Sequence, residues 1–247
     1  MKNIINYLIR KIKKTDYTVD SKIPNSYLLG LSFRRVIMLF RGLISFVKNK
    51  GSFFIGSGVK VRARSLIRLG KGVTFCDNCY VDAVSSEGII MGDNVSVGNR
   101  TVIECTGNLQ FLGKGLVVGN NVGLGTDSFY GCNGGIYIGD NTVIGNYVSF
   151  HAENHNFSRL DIPIRDQGVN HKGIIIHKNC WIGAKVTILD GSVIEEGCII
   201  AAGAVVTCGL YQKNGIYGGV PAKLLKYRTH LNINPLINLQ QLQTAAG

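Results

Sequence analysis

A chain of 247 residues with 45% hydrophobic content carries enough apolar material for a large folded domain, which excludes a mainly disordered protein. Its 32 glycines lack the every-third-residue period of collagen, so they are expected in turns. The 27 basic against 15 acidic residues give a net charge of +12, a balance that suits nucleic acid, an anionic membrane surface or a phosphorylated ligand.

Position narrows that choice. Residues 1–50 hold eleven basic residues against Asp16 and Asp20, so a net +9 belongs to the first fifth of the chain. Within it, "YLLGLSFRRVIMLFRGLISFVKNK" (27–50) reads as an amphipathic helix in which Arg34, Arg35 and Arg41 interrupt what would otherwise be a membrane span. Apolar residues interspersed with arginine suit a helix lying on anionic lipid. A cap packed on the rest of the chain, with its arginines in water, is the other arrangement. The start "MKNIINYLIRKIKK" lacks the unbroken apolar run and cleavage site of a signal peptide. The expected location is cytoplasmic, peripheral on the inner face of the cytoplasmic membrane, and no nucleic-acid partner is expected.

From residue 51 onward the chain repeats. Aliphatic or aromatic residues recur six apart: Leu69, Phe75, Val81; Met91, Val97, Ile103; Val118, Leu124, Tyr130; Ile138, Ile144, Phe150; and Ile176, Ile182, Ile188, Ile194, Ile200, Val206. Six fits neither a helix nor a flat amphipathic strand. It fits a short strand closed by a tight turn, three to a triangular coil, and so predicts an all-β parallel solenoid. The repeat is interrupted only between triplets, so the insertions all leave at one corner, and the largest is expected at 156–175. The expected division is a basic helical segment over 1–50, a β-helix over 51–209 and a C-terminal cap and tail over 210–247.

Seven cysteines, an odd number with no framework spacing, indicate a reduced cytoplasmic protein. Cys76 and Cys79 form a C-x-x-C without a second pair or a nearby histidine. They are expected in small-residue slots of the repeat rather than on a metal, and no metal is expected.

The stretches "SFHAENHNF", "DIPIRDQG", "NCWIGAKVTILDG", "IIAAGAVVT" and "GGVPAKLLKYR" resemble the hexapeptide-repeat acyltransferases, specifically the maltose and galactoside O-acetyltransferase branch that includes enzymes modifying exopolysaccharide, capsule or O-antigen sugars. The resemblance spans roughly residues 55–228. It implies a left-handed parallel β-helix, a homotrimer with clefts between parallel coils, acetyl-CoA as co-substrate and transfer to a sugar hydroxyl of a polysaccharide precursor or lipid-linked saccharide. His155 aligns with the catalytic base of that family. His151, Glu153, Asn154, Asp127 and Trp181 are then acceptor-side candidates, and Gly183, Ala184, Ala202, Gly203, Thr207 and Lys223 match positions along the coenzyme. Cys208 stands where many relatives have lysine, which leaves Lys213 or Lys226 to supply that cation. An imidazole with an ordinary pKa of about 6.5 suits the task, since it is neutral enough near pH 7 to take a hydroxyl proton. N-acetylation of an amino sugar and a non-catalytic solenoid scaffold are the alternatives. A zinc enzyme of the same superfamily would need three histidine ligands, one from an earlier coil, and no histidine precedes His151.

Overall fold

The six-residue period closes into a coil because every third position after an inward aliphatic residue turns the backbone. In the computed structural model, which describes residues 18–45 and 53–229 together with Lys2, Asn6, Tyr7 and Arg10, left-handed backbone recurs at Gly58, Gly72, Asn78, Asn94, Arg100, Asn121, Asp127, Asn141, Tyr147, Asn179, Lys185, Gly197 and Gly203. Glycine adopts that region freely and asparagine tolerates it better than other residues. Stacked asparagines also link successive turns at one corner: Asn94 Nδ2 donates to Asn121 Oδ1 and Asn121 Nδ2 to Asn141 Oδ1, each at 3.1 Å. The remaining residues 1–17, residues 46–52 and the tail 230–247 lie outside the described residues, so the expected ends of the basic segment and of the cap fall there.

The coils stack into three parallel sheets. The first face runs through Phe54–Ile55, Thr74–Phe75, Ser96–Val97, Gly123–Leu124, Val143–Ile144, Trp181–Ile182, Ile199–Ile200 and Gly215–Gly218, and closes on an antiparallel strand, Lys223–Tyr227. The second face stacks Lys60–Arg62, Tyr80–Asp82, Val102–Glu104, Phe129–Gly131, Ser149–His151, Thr187–Leu189 and Val205–Val206. The third stacks Ile67–Leu69, Ile89–Met91, Leu116–Val118, Ile136–Ile138, Ile174–Ile176, Ser192–Ile194 and Gly209–Tyr211. The parallel ladders therefore continue past 209, through Gly215–Gly218. The strand Lys223–Tyr227 then covers the edge of the first face.

Of the in-phase residues, all but Leu69 are buried, and Leu69 is half-buried beside the first, less enclosed coil. Burying such side chains at about 25 cal/mol per Å² is the dominant favourable contribution in a solenoid, because each coil contacts only its neighbours. Cys79, Cys180 and Cys198 fill small inward slots two residues before an aliphatic position, and Cys105 and Cys132 fill the slots two residues after one. All seven cysteines are free thiols. Burial pushes the Cys79 thiol up to about 12 and the Cys180 thiol up to about 11, so neither is a thiolate at neutral pH.

Every long insertion leaves between the second and third faces: 83–88, 105–115, 132–135 and 152–173. Register states the scale of the last. Val143 pairs with Trp181 across that coil, whereas Trp181 pairs with Ile199 across the next, uninterrupted one.

A helix, α1 (Asn25–Ser45), lies against the first strand of the coil, Phe54–Ile55, and buries Leu28, Met38 and Gly42. The approach at Gly42 is close: a β-carbon there would lie 2.1 Å from the carbonyl oxygen of Phe53. Two arginines turn toward the coil. Arg35 lies over the Phe54 ring, 4.3 Å from its centroid, and donates to Thr74 Oγ1 at 3.1 Å. Arg34 pairs with Asp77 at 2.8 Å. The helix thus caps the coil with these two arginines engaged on it rather than turned to water, and with an apolar face outward. No helix among the described residues is long and apolar enough to cross a membrane.

Candidate active site

The corner between the second and third faces carries His151, His155 and His171, whereas His177 follows the third face. His151 ends the strand Ser149–His151, on the outside of the second face because Phe150 points in. Its ring lies against Phe129, one coil earlier, with centroids 5.7 Å apart. Partial burial there holds the imidazole below the usual histidine range, since desolvation disfavours the charged form.

His155 lies four residues on, off the coil itself. Asn154–His155 pair antiparallel with Val169–Asn170, forming the first rung of a hairpin that closes the long loop. The rung is fixed from below by Asp190, a carboxylate only 4% exposed. Its Oδ1 accepts from the backbone N–H of Gly173 at 2.7 Å and of Lys172 at 2.9 Å, and its Oδ2 accepts from Asn154 Nδ2 at 3.0 Å. A buried carboxylate is tolerated when its oxygens are occupied in this way. Beyond the rung, Asn156 Nδ2 donates to the Gln167 carbonyl at 3.0 Å, and the Gln167 amide bonds Arg159 N and O and Ile162 O. The loop is thus held by its own side chains. The imidazole of His155 is solvent-exposed at the rung.

Three acceptor-side candidates have internal partners. Asn154 is bound to Asp190, and Glu153 Oε1 accepts from Asn133 Nδ2 at 3.0 Å. Asp127 takes both Nε and Nη2 of Arg100, at 2.6 and 2.7 Å, one coil away; this hydrogen-bonded ion pair holds its carboxyl below the usual range. Trp181 stands exposed on the first face.

The coenzyme-side candidates divide between two corners. Gly183, Ala184, Ala202 and Gly203 stack between the first and second faces, where Gly203 N donates to the Ala184 carbonyl at 2.9 Å. Gly183 is required by packing alone, because a β-carbon there would lie 2.6 Å from Ala202 N. Gly203 is left-handed with open space beside it, and Ala184 and Ala202 are exposed. Lys223 is exposed on the closing strand. Thr207 lies at the other edge of the second face, on the corner that carries His155, with its backbone N–H and carbonyl bound to the Tyr211 hydroxyl. Within one chain these two corners do not meet.

Asp190 was not singled out from the sequence, although it lies in the quoted "ILDG". Lys172 was also missed. Its Nζ lies 3.7 Å from Cys208 Sγ, so a cation from the loop's return limb stands beside the cysteine, while Lys213 pairs with Glu196 at 3.1 Å. Among the described residues no group of three or more histidine, cysteine or carboxylate side chains is arranged to hold a metal ion.

Residues 173–208 match the family described as bacterial transferase hexapeptide (six repeats). The chain thus carries the hexapeptide repeat and has the left-handed parallel β-helix of the hexapeptide-repeat transferases. It is 31% identical over 183 residues to "Probable acetyltransferase Rv3034c" of Mycobacterium tuberculosis, a match covering 72% of this chain and 51% of that protein, so the chain spans about half the length of this curated relative. Among solved structures, a point mutant of AntD, an N-acyltransferase from Bacillus cereus in complex with dTDP and coenzyme A, superposes with a TM-score of 0.50 at 18% identity, over 84% of this chain and 97% of that one. The polySia-specific acetyltransferase NeuO superposes with a TM-score of 0.41 at 18% identity, over 79% and 86%. At 18% identity the likeness to AntD is one of fold.

Proposed function

We propose that the chain is an acetyltransferase that moves acetyl from acetyl-CoA to a sugar hydroxyl of a polysaccharide precursor or lipid-linked saccharide, with His155 as general base. The observation that carries this reading is the rigid mounting of His155. It sits on a hairpin rung pinned by the buried Asp190, at the corner from which every long loop leaves. A positioned base of this kind contributes typically 10²–10⁴-fold to proton removal. The names of the relatives support the transferase class, and the exposed backbone at Ala184, Ala202 and Gly203 suits an extended pantetheine, with Lys223 near its phosphates.

In the proposed reaction the neutral imidazole of His155 takes the acceptor hydroxyl proton as the oxygen attacks the thioester carbonyl. The tetrahedral intermediate then expels the coenzyme thiolate, which takes the proton from the imidazolium, leaving an acetyl ester and free coenzyme A. The two corners would meet between copies of a homotrimer, with the small-residue corner of one chain facing the His155 corner of the next. The proposed compartment is the cytoplasm, where the acyl donor is available.

The test is incubation with labelled acetyl-CoA and a panel of saccharides and amino sugars. Label appearing on a saccharide and released by mild alkali identifies an ester and supports the reading. Alkali-stable label identifies N-acetylation and overturns the hydroxyl assignment. No transfer and no coenzyme release overturns the enzyme reading in favour of a scaffold.

A further inference from the structure

The outward side of α1 is apolar in a regular way. Leu29, Phe33, Val36, Phe40 and Leu43 follow one another at spacings of four, three, four and three, with Ile44 beside them, and each is 56–69% exposed. At 100° per residue they form a stripe opposite Leu28, Met38 and Gly42, the side seated on the first coil. Two of the helix's three arginines do not break this stripe, because Arg34 and Arg35 are drawn to Asp77, Phe54 and Thr74.

The charge near the stripe is predominantly of one sign. From residue 21 to residue 76 the chain has eleven basic residues and no acidic one. Lys60, Arg62, Arg64, Arg68 and Lys71 are exposed on the first coil, and Arg64 reaches the carbonyl of Ser45 at the helix's C-terminal end. We propose that this end of the solenoid docks on an anionic lipid bilayer, with the Leu29–Ile44 stripe entering the interface and the surrounding lysines and arginines on the headgroups. Large apolar side chains on an end of the solenoid rich in cations are complementary to that surface. The 4-3-4-3 spacing is also that of a coiled-coil seam, but a seam matches opposite charges across its flanks. A second copy of this face would bring like charges together. The inference stands apart from the transferase reading.

Flotation of the full chain with vesicles of mixed phosphatidylglycerol and phosphatidylcholine, and with phosphatidylcholine alone, tests it. The protein should float with the anionic vesicles only, weakening but not vanishing as salt is raised, since the apolar part of the binding is not screened. Phe33→Ser with Phe40→Ser should lower the bound fraction about tenfold or more while leaving the melting temperature nearly unchanged, because these residues are about two-thirds exposed in the free protein. Leu29→Ser with Val36→Ser should do the same. Equal flotation of parent and variants overturns the proposal. So does a parent that floats with neither vesicle, or variants whose light-scattering mass falls below the parent's, which would make the stripe a contact between copies.

Discussion

Asp190 Oδ2 accepts a hydrogen bond from Asn154 Nδ2 at 3.0 Å, across 36 residues of chain, and so ties the start of the long loop to the coil that follows its return. Because the same carboxylate holds both Lys172 N and Gly173 N, the two limbs of the loop share one anchor. Asp190→Ala should cost about 3 kcal/mol, since it leaves several donors without an acceptor in a nearly closed site. Asp190→Asn retains an acceptor for the two backbone groups and should cost clearly less. Chemical denaturation of the two variants checks the order. The proposed reading adds that Asp190→Ala lowers kcat more than it raises KM, because it acts through the position of His155.

The two histidines should separate kinetically. His155→Ala should lower kcat/KM by roughly 10² to 10⁴, mostly in kcat, as for a general base. His151→Ala should lose far less and chiefly through KM. Steady-state kinetics on both variants decide it: an active His155→Ala enzyme beside an inactive His151→Ala one reverses the assignment.

His151 should titrate below the ordinary value of about 6.5 by NMR, because partial burial against Phe129 disfavours its charged form. The sign for stability follows from linkage. Between the lowered folded value and the unfolded value the unfolded chain binds more protons, so stability rises with pH through that window and falls on acidification below about 6.5. Phe129→Ala should open the ring to water and move the midpoint back up. An unmoved midpoint would show that Phe129 is not what desolvates the ring.

Gly42→Ala should loosen the helix from the coil. A β-carbon 2.1 Å from the Phe53 carbonyl cannot be accommodated without displacement, and such overpacking costs typically about 1 to 3 kcal/mol. Gly30→Ala, where nothing stands within 4 Å, should instead be neutral or stabilising, since alanine is the better helix former. Hydrogen exchange of the 53–62 amides should speed up in the first variant only.

Light scattering should report three times the chain mass for the proposed trimer, in which each cleft draws one corner from each of two copies. A monomer at working concentration would remove that arrangement.

The solenoid was legible because its signal is local and repeated: an inward aliphatic residue every six positions, with turn residues between, marks the coil from Leu69 to Val206 without knowledge of any partner. The corner of the insertions followed from the same count. What could not be read is pairing between coils. Asp127 resembles a free turn carboxylate until Arg100 is seen one coil below it, and Glu153 does so until Asn133 is. Asp190 gave no signal, because its partners lie on two loop limbs whose return depends on the fold. Lys172 could be found beside Cys208 only once the loop was closed. The arginines of α1 were legible as interruptions of an apolar run, but not the side to which they turn. That depends on Asp77 and Phe54 standing opposite them.

Left-handed residues at two of the three corners also bear on how the length of such a chain can change. At those corners a short turn built around one left-handed residue separates one strand from the next, so adding or removing a single residue would rotate every downstream coil out of step and present aliphatic side chains to water. The third corner absorbs excursions as different as 132–135 and 152–173 without disturbing the ladders on either side. Insertions, deletions and loop grafts are therefore confined to one edge of the prism, the edge that carries His155, and the rest of the molecule can vary by substitution alone.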